Sequence, residues 1–353
     1  MSDNRVRRFL TATTARLISS RLAARLPERM TLRLLERAIT VGMTRDDLAA
    51  LPDGIHVLLC GAGSPLPDIK RSGPCVAVQA GPHLFVFDAG ANGARNLSRF
   101  SVNVGRVEAV LLTHAHSDHI DGLGELGVLR WANAAADRPL TVHGPPVLAE
   151  VVAGFNRAYA PDAGYRIEHH GPDVVPPSGA GLDAAPFPLP TDAELHPVLE
   201  TADGVRIGAF AVTHDPVSEA VGYRIDYRDR SVVLSGDTTK SANVIRHAQG
   251  VDLLVHEALG KQLTRQIAGA ARAVGNTRAA AIMSDIESYH ATPQEAAEAA
   301  AEAGAGQLLL YHIAPPLPLP ALERLFLKGA AEVFSGKITL GADGTLISLP
   351  SQQ

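Results

Sequence analysis

The chain has 353 residues, 46% of them hydrophobic and 20% charged, which is enough to bury a sizeable core in one large domain or two. Its net charge of −5 is uneven: residues 1–40 hold nine arginines against Asp3, Glu28 and Glu36, a balance of +6 that leaves −11 on the rest. An acidic body is a poor electrostatic partner for nucleic acid, and no apolar run reaches the ~18 residues of a membrane span. No signal-peptide core is visible, and Cys60 and Cys75 lie in apolar strand-like runs, where they read as core thiols in a reducing, cytoplasmic compartment.

In chain order, residues 4–42 predict two helices. Leu10, Leu17, Ile18 and Leu22 form one apolar stripe. Pro27 is placed as the first residue of a second helix, which buries Met30, Leu34, Leu35 and Ile39 and ends at Gly42. This basic amphipathic pair packs on the body or on a second subunit of a homodimer, or it lies against an acidic membrane surface. Residues 1–50 are accordingly set apart as an extension, and 51–353 as the main domain. Short β-rich runs follow at Ile55–Cys60, Pro74–Ala80 and His83–Asp88. After the first of them, Gly61 and Gly63 permit either a plain turn or a close backbone approach to a site. Residues 122–135 and 147–160 read as helices, with a strand at Leu140–His143, whose histidine reads as structural. Residues 171–192 are rich in Pro and Gly and predict an irregular surface loop. Phe155, Tyr159 and Tyr165 just before it either wall a pocket or pack in a core.

Val205–Thr213 predicts a strand that delivers His214, and Ala220–Asp226 with Ser231–Leu234 a hairpin that runs into Asp237. Asp252–Val255 predicts a buried strand before His256-Glu257. Thr292, Pro293 and Glu295 make a capping box with proline at the first helical position. Gln307–Tyr311 predicts a strand that delivers His312, and Lys337–Leu340 with Thr345–Leu349 a closing hairpin around Asp343-Gly344.

The chemistry concentrates in Leu111-Leu112-Thr113-His114-Ala115-His116-Ser117-Asp118-His119. Four potential ligands fall within six residues directly after an apolar strand. Alternation along an extended chain aims His114 and His116 at one point, while Asp118 and His119 face a second point nearby. Imidazole and carboxylate donors suit zinc-like divalent ions. The H-x-H-x-D-H stretch resembles the signature of the metallo-β-lactamase-fold hydrolases.

The wider set of motifs resembles the ribonuclease Z and arylsulfatase-like branch of that superfamily. It comprises Cys60-Gly61-Ala62-Gly63-Ser64-Pro65, Thr213-His214, Ser235-Gly236-Asp237-Thr238, His256-Glu257-Ala258, His290-Ala291-Thr292 and Tyr311-His312-Ile313-Ala314-Pro315, and spans about residues 53–350. The resemblance implies an α/β fold, a four-layer αββα sandwich carrying the N-terminal helical extension. It implies two Zn2+ per chain, with Mn2+ or Fe2+ as alternatives. One ion falls to His114, His116 and His214, the other to Asp118, His119 and His312, and Asp237 bridges them. It also implies that Asp88 braces the metal loop and that His290 lies beside the ions as a proton or hydrogen-bond donor. His256 and Glu257 then brace His290 or the loop. Asp118 and His290 are the candidate catalytic residues. The function implied is hydrolysis of a small ester (phosphodiester, sulfate ester, lactone or carboxylic ester) by a metal-bridging hydroxide. The alternatives are a β-lactamase-like amide hydrolase, a transfer-RNA 3′-processing endonuclease and a membrane-associated scaffold. Relatives that process transfer RNA commonly carry a long basic arm between the third histidine motif and the bridging aspartate. Here only 22 residues separate His214 from Asp237, so nucleic acid is disfavoured as a partner.

Overall fold

The computed structural model describes residues 7–8, 26–191 and 193–352. The first expected helix lies outside the described residues, except that Arg7–Arg8 form a two-residue strand, β1, against Thr345 and Leu346. The second helix, α1, spans Glu28–Thr44. Pro27 stands just before it rather than inside it, and the helix runs past Gly42. None of its residues is buried, so the expected burial of Met30, Leu34, Leu35 and Ile39 is corrected.

Two sheets face each other. The first holds β1, β2 (Gly54–Gly61), β3 (Cys75–Ala80), β4 (His83–Phe87), β5 (Val107–Leu111), β6 (Leu140–Gly144), β7 (Leu182–Pro186) and β15 (Thr345–Pro350), in the order β1-β15-β2-β3-β4-β5-β6-β7. The second holds β8 (His196–Glu200), β9 (Arg206–Ala211), β10 (Val221–Tyr227), β11 (Arg230–Leu234), β12 (Leu253–Leu259), β13 (Gln307–Ala314) and β14 (Lys337–Leu340), in the order β14-β13-β12-β11-β10-β9-β8. β2, β3 and β12 are buried along their whole length, as expected of strands whose two faces both read apolar.

Three apolar layers result. Val57, Phe85, Phe87, Tyr223 and Tyr311 belong to the layer between the sheets. On the outer face of the first sheet, Leu97 of α2 (Gly93–Arg99), Leu126 of α4 (Leu123–Ala134) and Val152 of α5 (Leu148–His170) pack over Val86 and Val110; the short α3 (Ser117–Ile120) precedes α4. On the outer face of the second sheet, α6 (Ala242–His247), α7 (Lys261–Ala273), α9 (Pro293–Glu302), α10 (Pro320–Phe326) and α11 (Ala330–Val333) cover Val233, Leu254 and Leu310, while α8 (Thr277–Asp285) packs on α7. This is the αββα sandwich expected.

Several local expectations are corrected. The 171–192 stretch contains β7, which pairs parallel with β6; Pro186 is tolerated because it ends an edge strand. Helix α5 continues through Pro161 to His170, since a single missing donor interrupts one rung only. The tail is no hairpin: β14 pairs with β13 in the second sheet, and β15 pairs with β2 in the first. Asp343 sits in that crossover and accepts hydrogen bonds from Ala62 N, Ser72 N and Asn96 Nδ2. Cys60 and Cys75 form a disulfide, not separate thiols. The antiparallel β2–β3 register carries an irregularity between Leu59 and Gly61 and brings the two Cα atoms to 5.0 Å. The reducing-compartment reading thereby loses its basis. Gly61 and Gly63 serve the approach of the 71–73 backbone: an added Cβ would meet Gly73 O and Arg71 O.

Candidate metal centre

Each candidate ligand is delivered by a strand end at one edge of the sandwich. β5 leads to His114 and His116, and α3 carries Asp118 and His119. β9 leads to His214 and β11 to Asp237. At Gly236 the backbone is left-handed (φ +63°), and a Cβ would meet Val221 O at 2.6 Å, so the turn that presents Asp237 requires glycine. His312 lies within β13, not after it. The β12–β13 register passes from Glu257↔Tyr311 to Ala258↔Ile313, which leaves His312 unpaired at φ +46°. This bulge turns its ring towards the cluster.

Two separate groups form, each with donor atoms within 4.8 Å of one another: His114, His116, His214 and Asp237, and then Asp118, His119 and His312; Asp237, His290 and His312 make a third that overlaps both. His116 Nδ1 lies 2.9 Å from His114 Nε2 and 3.3 Å from His214 Nε2. His312 Nε2 lies 3.3 Å from Asp118 Oδ2. Asp237 reaches both groups. Its Oδ2 is 3.3 Å from His119 Nε2 and His312 Nε2, and 3.9 Å from His114 Nε2 and His214 Nε2. His116 is the exposed member; the others are buried.

The electrostatics fit a cationic occupant. Burial, followed by the neighbouring His119, pushes His114 well below the ordinary imidazole range, and burial likewise lowers His116 and His214. Their ring nitrogens are thus lone-pair donors crowded together. Burial opposes the charge on Asp237, yet His312 and His119 hold it well below the usual carboxylate range. Burial also opposes protonation of His119, but Asp237 and Asp88 raise it well above the ordinary value. Asp237 Oδ1 and His119 Nε2 are buried without a hydrogen-bond partner, which is costly unless a ligand engages them. The donor set, imidazole nitrogens and carboxylate oxygens, suits divalent metals of the zinc class.

The supporting contacts are as specific. Asp88 accepts from Thr113 N at 2.8 Å and from Thr113 Oγ1 at 3.1 Å, and its Oδ2 lies 2.8 Å from His119 Nδ1. His214 Nδ1 lies 3.1 Å from the Tyr289 carbonyl. Such contacts fix which ring nitrogen faces a metal. Neither Thr113 nor Tyr289 was singled out by the sequence pattern. Thr113 carries a signal, its place between strand and first histidine; the Tyr289 carbonyl carries none. Glu257 Oε1 lies 2.9 Å from His290 Nδ1 and accepts from Ala291 N and Thr238 N. Burial lowers His290, but the Glu257 carboxylate outweighs it and raises the group to about 9. His256 does not join this network: its Nδ1 lies 2.8 Å from the Glu257 carbonyl, and its Nε2 is buried without a partner.

Residues 83–313 match the family model described as the beta-lactamase superfamily domain. The chain is 38% identical to ribonuclease Z of Mycobacterium sp. (strain KMS) over 294 residues, covering 82% of this chain and 94% of that protein. It belongs to the metallo-β-lactamase-fold hydrolases, in their ribonuclease Z branch. Ribonuclease Z of Mycobacterium bovis (strain BCG / Pasteur 1173P2) is 36% identical over 291 residues, with 82% and 96% covered. Among solved structures, the short form of human tRNase Z superposes with a TM-score of 0.60 at 19% identity, over 84% of this chain and 100% of that one. The metallo-beta-lactamase fold protein YhfI of Bacillus subtilis gives 0.58 at 21% identity, over 83% and 98%. These two likenesses concern the fold. As a member of this superfamily the protein is a metal-dependent hydrolase.

Away from the cluster, Phe155 and Tyr159 line an apolar cavity of about 320 Å³ between α4 and α5, whereas Tyr165 is 67% exposed and is not among that cavity's lining residues. His143 lies on β6 facing a separate cavity with Arg130 and Arg138, outside the cluster.

Proposed function

We propose that this metallo-β-lactamase-fold protein is a phosphodiesterase that holds two zinc-class ions, one by His114, His116 and His214, the other by Asp118, His119 and His312, with Asp237 between them. The observation that carries this reading is the position of Asp237 Oδ2, within 3.9 Å of ring nitrogens from both groups. A carboxylate there offsets the mutual repulsion of two cations. When bound by these residues, divalent ions would supply Lewis acidity able to lower the pKa of water towards neutrality and to polarise an ester oxygen. The chain's own residues do the rest. Asp118, whose Oδ2 lies 3.3 Å from His312 Nε2, borders a cleft of about 330 Å³ lined by Ser64, Leu66, Asp68, Asn92 and Asp121, a size suited to a small ester. His290, charged and held by Glu257, donates a hydrogen bond or a proton to the departing oxygen.

Phosphorus is chosen over sulfur and carbon because the curated relatives at 36–38% identity are named ribonuclease Z. Those names also favour a second reading, RNA as the substrate. Against it stands the His214–Asp237 segment, which is consumed by β10 and β11. Their turn, Arg228-Asp229, points away from the metal edge and is tied down by an Arg228–Asp53 ion pair at 2.7 Å. A small phosphodiester is therefore the preferred substrate. The deciding experiment compares turnover of bis(p-nitrophenyl) phosphate, p-nitrophenyl sulfate, a lactone, a chromogenic β-lactam and a transfer-RNA precursor. Phosphodiester turnover that is lost on chelation and restored by zinc is expected. Cleavage of the RNA with no action on the small ester would replace this reading by the second.

A further inference from the structure

Helix α1 displays its apolar side chains to solvent. Leu32, Leu34, Leu35, Ile39 and Val41 are 46–55% exposed, and Met43 is 83% exposed. At 100° per residue, these positions with Met30 and Ala38 sweep about 220° of the helix circumference, interrupted by Glu28 and Thr31 in the first turn. Arg29, Arg33 and Arg37 fall at i, i+4 and i+8 in one row on the remaining arc. Thr31, Thr40 and Thr44 donate their hydroxyls to the carbonyls of Pro27, Glu36 and Thr40, so these side chains need no water. A patch this large on a soluble protein marks a contact surface.

We infer that α1 is an interfacial helix that docks this protein on an anionic lipid bilayer, its apolar arc at the acyl boundary and its arginine row among the headgroups. Charge complementarity selects this occupant. Residues 1–40 carry +6, whereas the remaining chain carries −11, so an anionic surface attracts the arm and repels the body. The width of the arc agrees: a bilayer receives half a helix at once, whereas a helix seated on a protein groove buries a narrower stripe. The helix joins the body at a firm point, where Asp46 pairs with Arg106 at 2.8 Å, Asp47 N donates to Ser101 O and Leu48 is buried. Arg106 directly precedes β5, whose other end leads to His114. The docking helix is thus rooted at the end of β5 remote from the metal cluster, and the inference is independent of the reading of that cluster.

The test uses the full-length protein and co-sedimentation with phosphatidylcholine vesicles, with or without one-third phosphatidylglycerol. Binding to the anionic vesicles at least about tenfold tighter than to neutral ones, and weakening from ~0.05 to ~0.5 M salt, is expected. Leu35→Glu with Ile39→Glu, and separately Arg33→Gln with Arg37→Gln, should each lower that binding about tenfold or more while circular dichroism stays unchanged. No sedimentation, or equal binding to neutral and anionic vesicles, would overturn the inference. So would a dimer that the Leu35→Glu, Ile39→Glu variant converts to monomer in vesicle-free solution, since the apolar arc would then belong to a second copy of the chain.

Discussion

At the scale of single residues, Asp237 and His290 are separated by what they touch. Asp237 Oδ2 reaches ring nitrogens of both histidine groups, so Asp237→Ala should abolish binding of both ions or nearly all turnover; metal analysis and an assay check this together. Near-normal zinc content with near-normal turnover would remove Asp237 from the centre. His290 has one nitrogen committed to Glu257. If His290 acts through its other nitrogen as a donor to the leaving oxygen, His290→Ala should retain metal and slow turnover by ~100-fold or more, with a smaller effect on substrates that have good leaving groups. Loss of zinc in this variant would make His290 a ligand instead. Glu257→Gln removes the charge that raises His290 to about 9. A group acting as the acid loses function as pH rises through its pKa, so the alkaline limb of the pH–rate profile should move to lower pH in Glu257→Gln. An unmoved limb would show that a different group sets it.

At the scale of elements, the two sheets are clasped by a small ionic cluster remote from the metal edge. His83 at the start of β4 places Nδ1 2.8 Å from Glu108 of β5 and Nε2 2.8 Å from Asp203, just before β9 of the other sheet. Burial lowers His83, but the two carboxylates outweigh it and raise its pKa above the ordinary value. The sign follows from linkage: a group whose folded pKa is raised contributes stability fully below its unfolded pKa, near 6.5, and loses it as pH rises through the folded value. Melting temperature should consequently decline from about pH 6 upward by more in the native protein than in His83→Gln. Parallel pH profiles for the two would dismiss the clasp.

At the scale of the whole molecule, the three apolar layers do not depend on the cluster, which occupies one edge of the sandwich. Chelation should give an apoprotein that remains folded but melts at lower temperature, because metal binds the native state alone and contributes by mass action. Calorimetry with and without chelator, followed by zinc, reads this directly; an unfolded apoprotein would show that the cluster also holds the fold together.

The sequence by itself determined what is local and periodic. Apolar runs marked nearly every central strand, the Thr292–Glu295 capping box was legible and is formed, and H-x-H-x-D-H placed four donors within one strand-to-helix turn. Resemblance then supplied His214, Asp237 and His312, which lie far apart along the chain. Only the tertiary structure decided what depends on register and on partners distant in sequence. Lys337–Leu340 and Thr345–Leu349 carry the pattern of a hairpin, yet each meets a better-matched neighbour in a different sheet. Cys60 and Cys75 read as separate thiols until the β2–β3 pairing brought them together. The bulge that turns His312 arises from the pairing of β13 with β12, and α1, amphipathic by pattern, was expected to be buried but is exposed. Propensity and periodicity specify which face of an element is apolar. What that face meets is settled by the free energy of the assembled layers, which no single segment encodes.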